Sequence, residues 1–214
     1  MVTQLLVGVF YCLDALHGER RDRSILFWKS LPVSDRTAVI SKASIPIVIL
    51  PLLTWAITVA TQVIMLLLST AILTGSGLSV ATLWTQLSLF QMSLMLLYHL
   101  VTVHSLWHAP IYGWLLLVSG WARRAAFLWA VLPPLAIVVV EKIALNSAHF
   151  AAMLGYRFAG GAEAVPFPGR MPIDPGTQLS FGHFLSSPGL WVGLVFTAAF
   201  LAAAVRLRRY QGPI

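Results

Sequence analysis

Between Ala43 and Ala122 the chain runs for 80 consecutive residues without an aspartate, glutamate, lysine or arginine. A helix with one face in water carries charged and polar side chains along that face, and nothing in this stretch supplies them. About 20 apolar residues carry a helix across a hydrocarbon core about 30 Å thick, so the stretch alone holds two or three crossings. Composition agrees: 58% of the 214 residues are hydrophobic and 10% are charged, against about a quarter charged in a soluble domain. The sequence predicts an all-α, polytopic integral membrane bundle and excludes an ordinary soluble enzyme.

Other classes fall away on similar grounds. A single cysteine, Cys12, cannot form a disulfide within the chain. The balance of 14 Lys and Arg over 7 Asp and Glu is strongly basic. Because the basic residues flank apolar segments, it points to an anionic lipid surface and not to nucleic acid. Met1 to Arg23 lacks the basic start and the small-residue cleavage site of a signal peptide.

Five apolar segments are read within a single transmembrane domain covering residues 1–214. The first, Val2 to Leu16, is shorter than a full span and has the character of the end of a helix whose beginning is missing. The second runs from Ser44 to Leu73, with Pro46 and Pro51 near its start and the turn Thr74-Gly-Ser-Gly77 at its end. The third, Thr82 to Ala122, is long for one span; the fourth is Ala126 to Leu145 and the fifth Gly189 to Val205.

Counting basic residues decides how often the third segment crosses. With one crossing, six residues from Arg20 to Lys42 join Arg123, Arg124, Arg206, Arg208 and Arg209 on one side, eleven in all. Only Lys142, Arg157 and Arg170 lie opposite. A reversal near His108-Ala-Pro110 would make the count 9 against 5. The positive-inside rule therefore favours one crossing, its excess length taken up by tilt or by a break at Pro110. The layout puts a loop over residues 17–43 inside, an extracytoplasmic segment over 146–188 outside, and the C-terminus inside.

Several polar residues inside or beside the spans are candidate pathway or gate groups. His104 and His108 share a helical face, while His99 lies about 180° from His108 on an ideal α-helix, so the three cannot meet at one metal without a break. No metal or other cofactor is expected. Glu141 lies about 22 Å along the fourth segment from its inner end, near the outer interface; it is either a head-group contact or part of a substrate gate. Pro133-Pro134 predicts a kink. Trp84, Trp107, Trp121, Trp129 and Trp191 fall near segment ends or breaks, where indole rings settle. Phe158, Phe167, Phe181 and Phe184 are candidates for a small cap over the outer mouth.

The inside loop is the most informative part. Asp22 or Ser24 can cap a short helix in which Ile25, Leu26, Trp28 and Leu31 form an apolar surface, and Pro32 ends it. Glu19, Arg20, Arg21, Arg23 and Lys29 charge its flanks, and Ser34 with Asp35 can cap a second helix leading into the membrane. On pattern alone, a helix resting on lipid head groups and a protein-docking helix are equally served.

Here the sequence resembles the permease subunits of type-2 ABC transporters. In that family a span ends in an acidic and basic cluster, followed by a short cytoplasmic helix, a Leu-Pro-Val-Ser-like turn and a Lys before the next span. Glu19, Leu31, Pro32, Val33, Ser34 and Lys42 stand at those positions, and Ser119-Gly-Trp-Ala-Arg-Arg124 matches the family's small-residue and arginine element. The resemblance covers nearly the whole chain and implies a five-segment version of a usually six-span fold, lacking the first span. It implies an exporter permease of a bacterial cytoplasmic membrane, paired with a second copy or paralogue. A coupling helix would sit in a separate ATP-binding cassette subunit, its contact set being Glu19, Arg20, Arg21, Arg23, Ile25, Leu26, Trp28, Lys29, Leu31 and Pro32. The chain carries no phosphate-binding Gly-x-x-x-x-Gly-Lys-Ser/Thr loop, so it is not expected to hydrolyse ATP itself. Two alternatives stay open: a histidine-bearing membrane redox or quinone subunit, and a truncated permease without independent activity.

Overall fold

The computed structural model describes residues 2–76, 89–159 and 184–212. Every regular element among them is helical. Helix α1 is Val2–Ala15, α2 His17–Arg21 and α3 Ser24–Ser30. Helix α4 runs from Asp35 to Gly75, α5 from Leu89 to Trp107, α6 from Ala109 to Trp121 and α7 from Ala126 to Leu145. Helix α8 is His149–Phe158 and α9 Pro188–Tyr210. Four of these, α4, α5, α7 and α9, are long and apolar enough to cross a membrane.

Local chemistry accounts for the starts and breaks. Ser34 caps α4, its Oγ accepting the Thr37 N–H at 3.1 Å, with Asp35 in the first turn where the helix dipole favours an acid. Pro46 and Pro51 each lack the N–H of a helical rung, and the wide π-helical stretch Ile45–Ile49 contains Pro46 and ends two residues before Pro51. A second wide stretch, Leu100–Trp107, ends α5 just before Pro110. Helix α7 continues through Pro133 and Pro134. Pro134 cannot bond the Ala130 carbonyl four residues back, and the Trp114 indole on α6 donates to that carbonyl at 3.0 Å.

Helix α6 is the hub of the bundle. Tyr112, Leu115, Leu116 and Val118 are buried against α1, α7 and α9, and Gly113 lets the α9 backbone at Thr197 approach closely. By contrast, α4 and α7 turn most of their side chains outward, including Leu52, Leu53, Ile57, Met65, Leu132, Val140 and Ile143. A soluble monomer does not expose apolar patches of this extent. The same faces are suited to lipid, where burying them against protein gains little.

Packing also fixes helix directions. Val39 and Asp35 at the start of α4 meet Ala204 and Arg208 at the end of α9, so these two run antiparallel. Trp55 donates to the Ser93 carbonyl while Ile45–Ile49 packs on Leu100–Trp107, which makes α5 antiparallel to α4. Helix α6 runs with α9, since Trp107 meets Gly189 and Gly113 meets Thr197. Helices α5 and α6 therefore share one direction, and the single residue between them, His108, keeps near-helical dihedrals. The long third segment is interrupted at His108 and does not turn back, the geometry a single crossing requires.

Two αL residues mark corners of the chain at the end of the bundle that carries the 17–43 loop. Arg23 (φ 58°) turns α2 into α3, and Ala125 (φ 49°) turns the 122–125 connection into α7. For a residue with a Cβ this conformation costs roughly 1–2 kcal/mol, which glycine avoids. Ala125→Gly is expected to raise the thermal midpoint of the purified protein by about 2–4 °C per kcal/mol relieved, measured by tryptophan fluorescence on heating.

Candidate coupling loop and its ionic anchor

The loop between α1 and α4 hangs from a buried polar seat. Ser119 on α6 is fully buried; its hydroxyl accepts the backbone N–H groups of Leu16 (3.0 Å) and His17 (2.9 Å) and donates to the Leu13 carbonyl (2.8 Å). One side chain thus satisfies the break between α1 and α2 from both sides, where helix ends leave backbone groups without intrahelical partners. Arg20 reaches the end of the same helix, donating to the carbonyls of Gly120 (2.7 Å) and Ala122 (3.4 Å) and, through Nε, to Gly212 (3.1 Å). A cation at the C-terminal end of α6 also meets the negative end of its dipole. Burial, with the charge of Arg123 nearby, lowers the Arg20 pKa from its usual value.

Beside this seat lies an ion-pair cluster drawn from three distant segments. Glu19 bridges Arg208 of α9 and Lys42 of α4, the latter at 3.0 Å, and Arg208 also pairs with Asp35 at 3.2 Å. Side-chain exposure is 4% for Arg208 and 12% for Glu19, so the cluster is largely out of water. Lys42 adds a hydrogen bond to the Ala15 carbonyl. The loop is therefore tied at once to the first turn of α4, the end of α6 and the end of α9.

Helix α3 projects from this base with opposite sides doing different things. Ile25 is 1% exposed and packs inward beside Leu16, Arg20 and Arg208. Leu26, Phe27, Trp28 and Leu31 are exposed, with Phe27 and Trp28 in edge-to-face contact at 5.7 Å. Arg21, Arg23 and Lys29 stand exposed around them, as does Pro32. Lys29 also donates to the Gln211 carbonyl at 3.2 Å. Of the ten residues named from the sequence, Glu19, Arg20 and Ile25 thus face the bundle and the other seven face outward. Sequence reasoning missed Arg208 and Asp35 as partners, and it saw Ser119 and Lys42 only as pattern positions. Their signal in the sequence is faint: an Asp in a first turn and an Arg in a basic tail are both ordinary.

The histidines are arranged differently from the ideal-helix expectation. The rings of His104 and His108 stack at 5.5 Å, and His99 meets His104 edge-on at 6.0 Å, so the three form a row. The wide turn over Leu100–Trp107 brings residues five apart into line, which a regular α-helix would not. His108 has a carbonyl oxygen beside each ring nitrogen, Val103 at Nδ1 and Phe158 at Nε2 (3.4 Å), and a neutral imidazole, with its single N–H, donates to one of the two. Among the described residues no three His, Cys, Asp or Glu side chains are grouped to hold a metal ion.

At the far end of the bundle Glu141 caps α8. Its carboxylate accepts from the Ser147 hydroxyl (2.7 Å) and from the backbone N–H groups of His149 (2.7 Å) and Phe150 (2.9 Å). The other end of α8 is held by Arg157, which donates to the Gly189 carbonyl at 2.9 Å and lies 4.4 Å above the centre of the Trp107 ring. Burial lowers the Arg157 pKa from its usual value. Trp107 is thus buried among Phe184 and Leu190 and enclosed by the protein itself. Phe158 is exposed, and Trp84, Phe167 and Phe181 lie outside the described residues. Comparisons with family models, curated proteins and solved structures return no match to this chain.

Proposed function

We propose that the chain is the membrane permease subunit of a type-2 ABC exporter of a bacterial cytoplasmic membrane, with α2, α3 and the C-terminus on the cytoplasmic side. The observation that carries this reading is α3: Leu26, Phe27 and Trp28 on the helix and Leu31 just beyond it are exposed, while its base is tied into the bundle by Glu19, Arg20 and Ile25. An exposed apolar cluster with a basic rim fits an apolar groove with acidic edges on a separate ATP-binding subunit. Displacement of α3 by that subunit is transmitted through the buried ion pairs to α4 and α9 and through Ser119 and Arg20 to α6. Two such permeases and two ATPases would make the working exporter. Substrate class is left open by this reading, since function resides in site chemistry and not in a bundle fold.

Co-purification tests it. An ATP-binding cassette subunit is expected to accompany the detergent-extracted protein, and Trp28→Asp or Leu31→Asp is expected to abolish that association while leaving the membrane-inserted amount unchanged. Both residues are exposed, so neither change opens the core. Association retained in both variants overturns α3 as the docking helix. A haem absorption band lost in His104→Ala would instead favour the redox-subunit reading.

A further inference from the structure

The corner between α6 and α7 sets two arginines between exposed aromatic side chains. It consists of Trp121 at the end of α6, the 122–125 connection with Arg123 and Arg124, and the first turn of α7. Trp121, Arg123, Arg124, Phe127, Leu128 and Trp129 are all exposed. The rings of Trp121 and Trp129 meet edge to face at 4.9 Å, so two indoles stand together beside the arginines.

Neither arginine is answered by an acid of its own chain. Among the described residues the carboxylates at this end of the bundle are Asp14, Glu19, Asp22 and Asp35. Glu19 and Asp35 serve Lys42 and Arg208, Asp22 serves Arg21, and the Asp14 carboxylate lies beside Gly18. Arg123 moreover stands near enough to the buried Arg20 for its charge to depress the Arg20 pKa. Like charges gathered in this way repel one another, and an anion brought between them offsets that cost.

The surroundings say which anion. Indole rings settle at the level of lipid head groups, and beyond Trp129 the exposed Val131, Leu132 and Leu135 carry the apolar surface of α7 onward. Arg123 and Arg124 come just before that surface begins, where the phosphates of a bilayer lie. A guanidinium binds phosphate through two parallel N–H···O bonds. A soluble protein would have to cover side chains that face hydrocarbon, whereas one phospholipid meets both halves of the corner. We propose that the α6–α7 corner binds an anionic phospholipid, its phosphate held by Arg123 and Arg124 and its acyl chains lying along Phe127, Leu128 and Trp129. The site requires that α7 cross the membrane and is independent of any ATP-binding partner.

The test adds phosphatidylglycerol, phosphatidylcholine of the same chain length, or inorganic phosphate to the full chain in detergent and follows the thermal midpoint. Phosphatidylglycerol is expected to raise it by about 3–6 °C at ten times the half-saturating concentration, and the other two much less. Each basic side chain beside an anionic head group strengthens binding about fivefold, so Arg123→Gln with Arg124→Gln is expected to weaken it about 30-fold. Arg206→Gln with Arg209→Gln removes the same charge from exposed positions at the end of α9 and is expected to weaken it far less. Equal stabilisation by phosphatidylcholine or by inorganic phosphate, or an equal loss in the two double variants, overturns the proposal. All four arginines are exposed, so neither double variant opens the core. Should the first still fail to fold, its two single variants, each expected to bind about fivefold more weakly, decide the matter.

Discussion

Glu19→Ala is expected to destabilise the bundle by about 3 kcal/mol, the lower end of the cost of removing one member of a buried ion pair. The loss exceeds that of the attraction itself, because Arg208 stays buried with its charge while only Asp35 remains to face it. Lys42 is better placed to recover: its side chain is 19% exposed and its ammonium keeps the Ala15 carbonyl. The expected readout is a thermal midpoint lowered by about 6–12 °C in lipid nanodiscs. Pairing Glu19→Ala with Arg208→Met removes both charges and should recover part of the loss, since no charge of that pair is then left buried alone. A double variant no better than the sum of the singles would show that Glu19 and Arg208 act independently, against their direct contact in the fold.

Ser119→Ala is the second large effect expected. It deletes one oxygen yet strands two backbone N–H donors, of Leu16 and His17, and the Leu13 carbonyl, in a position closed to water. At roughly 1–3 kcal/mol for each stranded group, a total near 3 kcal/mol is expected after local relaxation. Because the hydroxyl holds the corner between α1 and α2, proteolysis of the 17–34 loop should accelerate along with the fall in thermal midpoint. Unchanged stability and unchanged cleavage would mean that the α1–α2 corner holds without Ser119.

Much of the architecture is legible from pattern alone. Residues without charge over a membrane's thickness have one stable environment, which is why the expected fourth segment coincides with α7. Pro110 announced a break, and α6 begins there. The histidine row was not legible, because a periodicity argument assumes regular α-helix and the wide turn over Leu100–Trp107 changes which residues share a face. Glu141 was legible as an interfacial charge but not as a cap, because its partners at Ser147, His149 and Phe150 exist only once α8 folds back upon it.

The sequence by itself determined that the chain is all-helical and that several of its helices are long and apolar enough to cross a membrane. Those properties depend on composition and on spacing within one helix, which are local. Only the tertiary structure decided which loop residues point inward. Glu19 and Arg208 stand 189 positions apart, and Leu16 and Ser119 stand 103 apart. Burial, and with it the division of the loop into an ionic anchor and an exposed face, is a property of the assembled helices and of no single one.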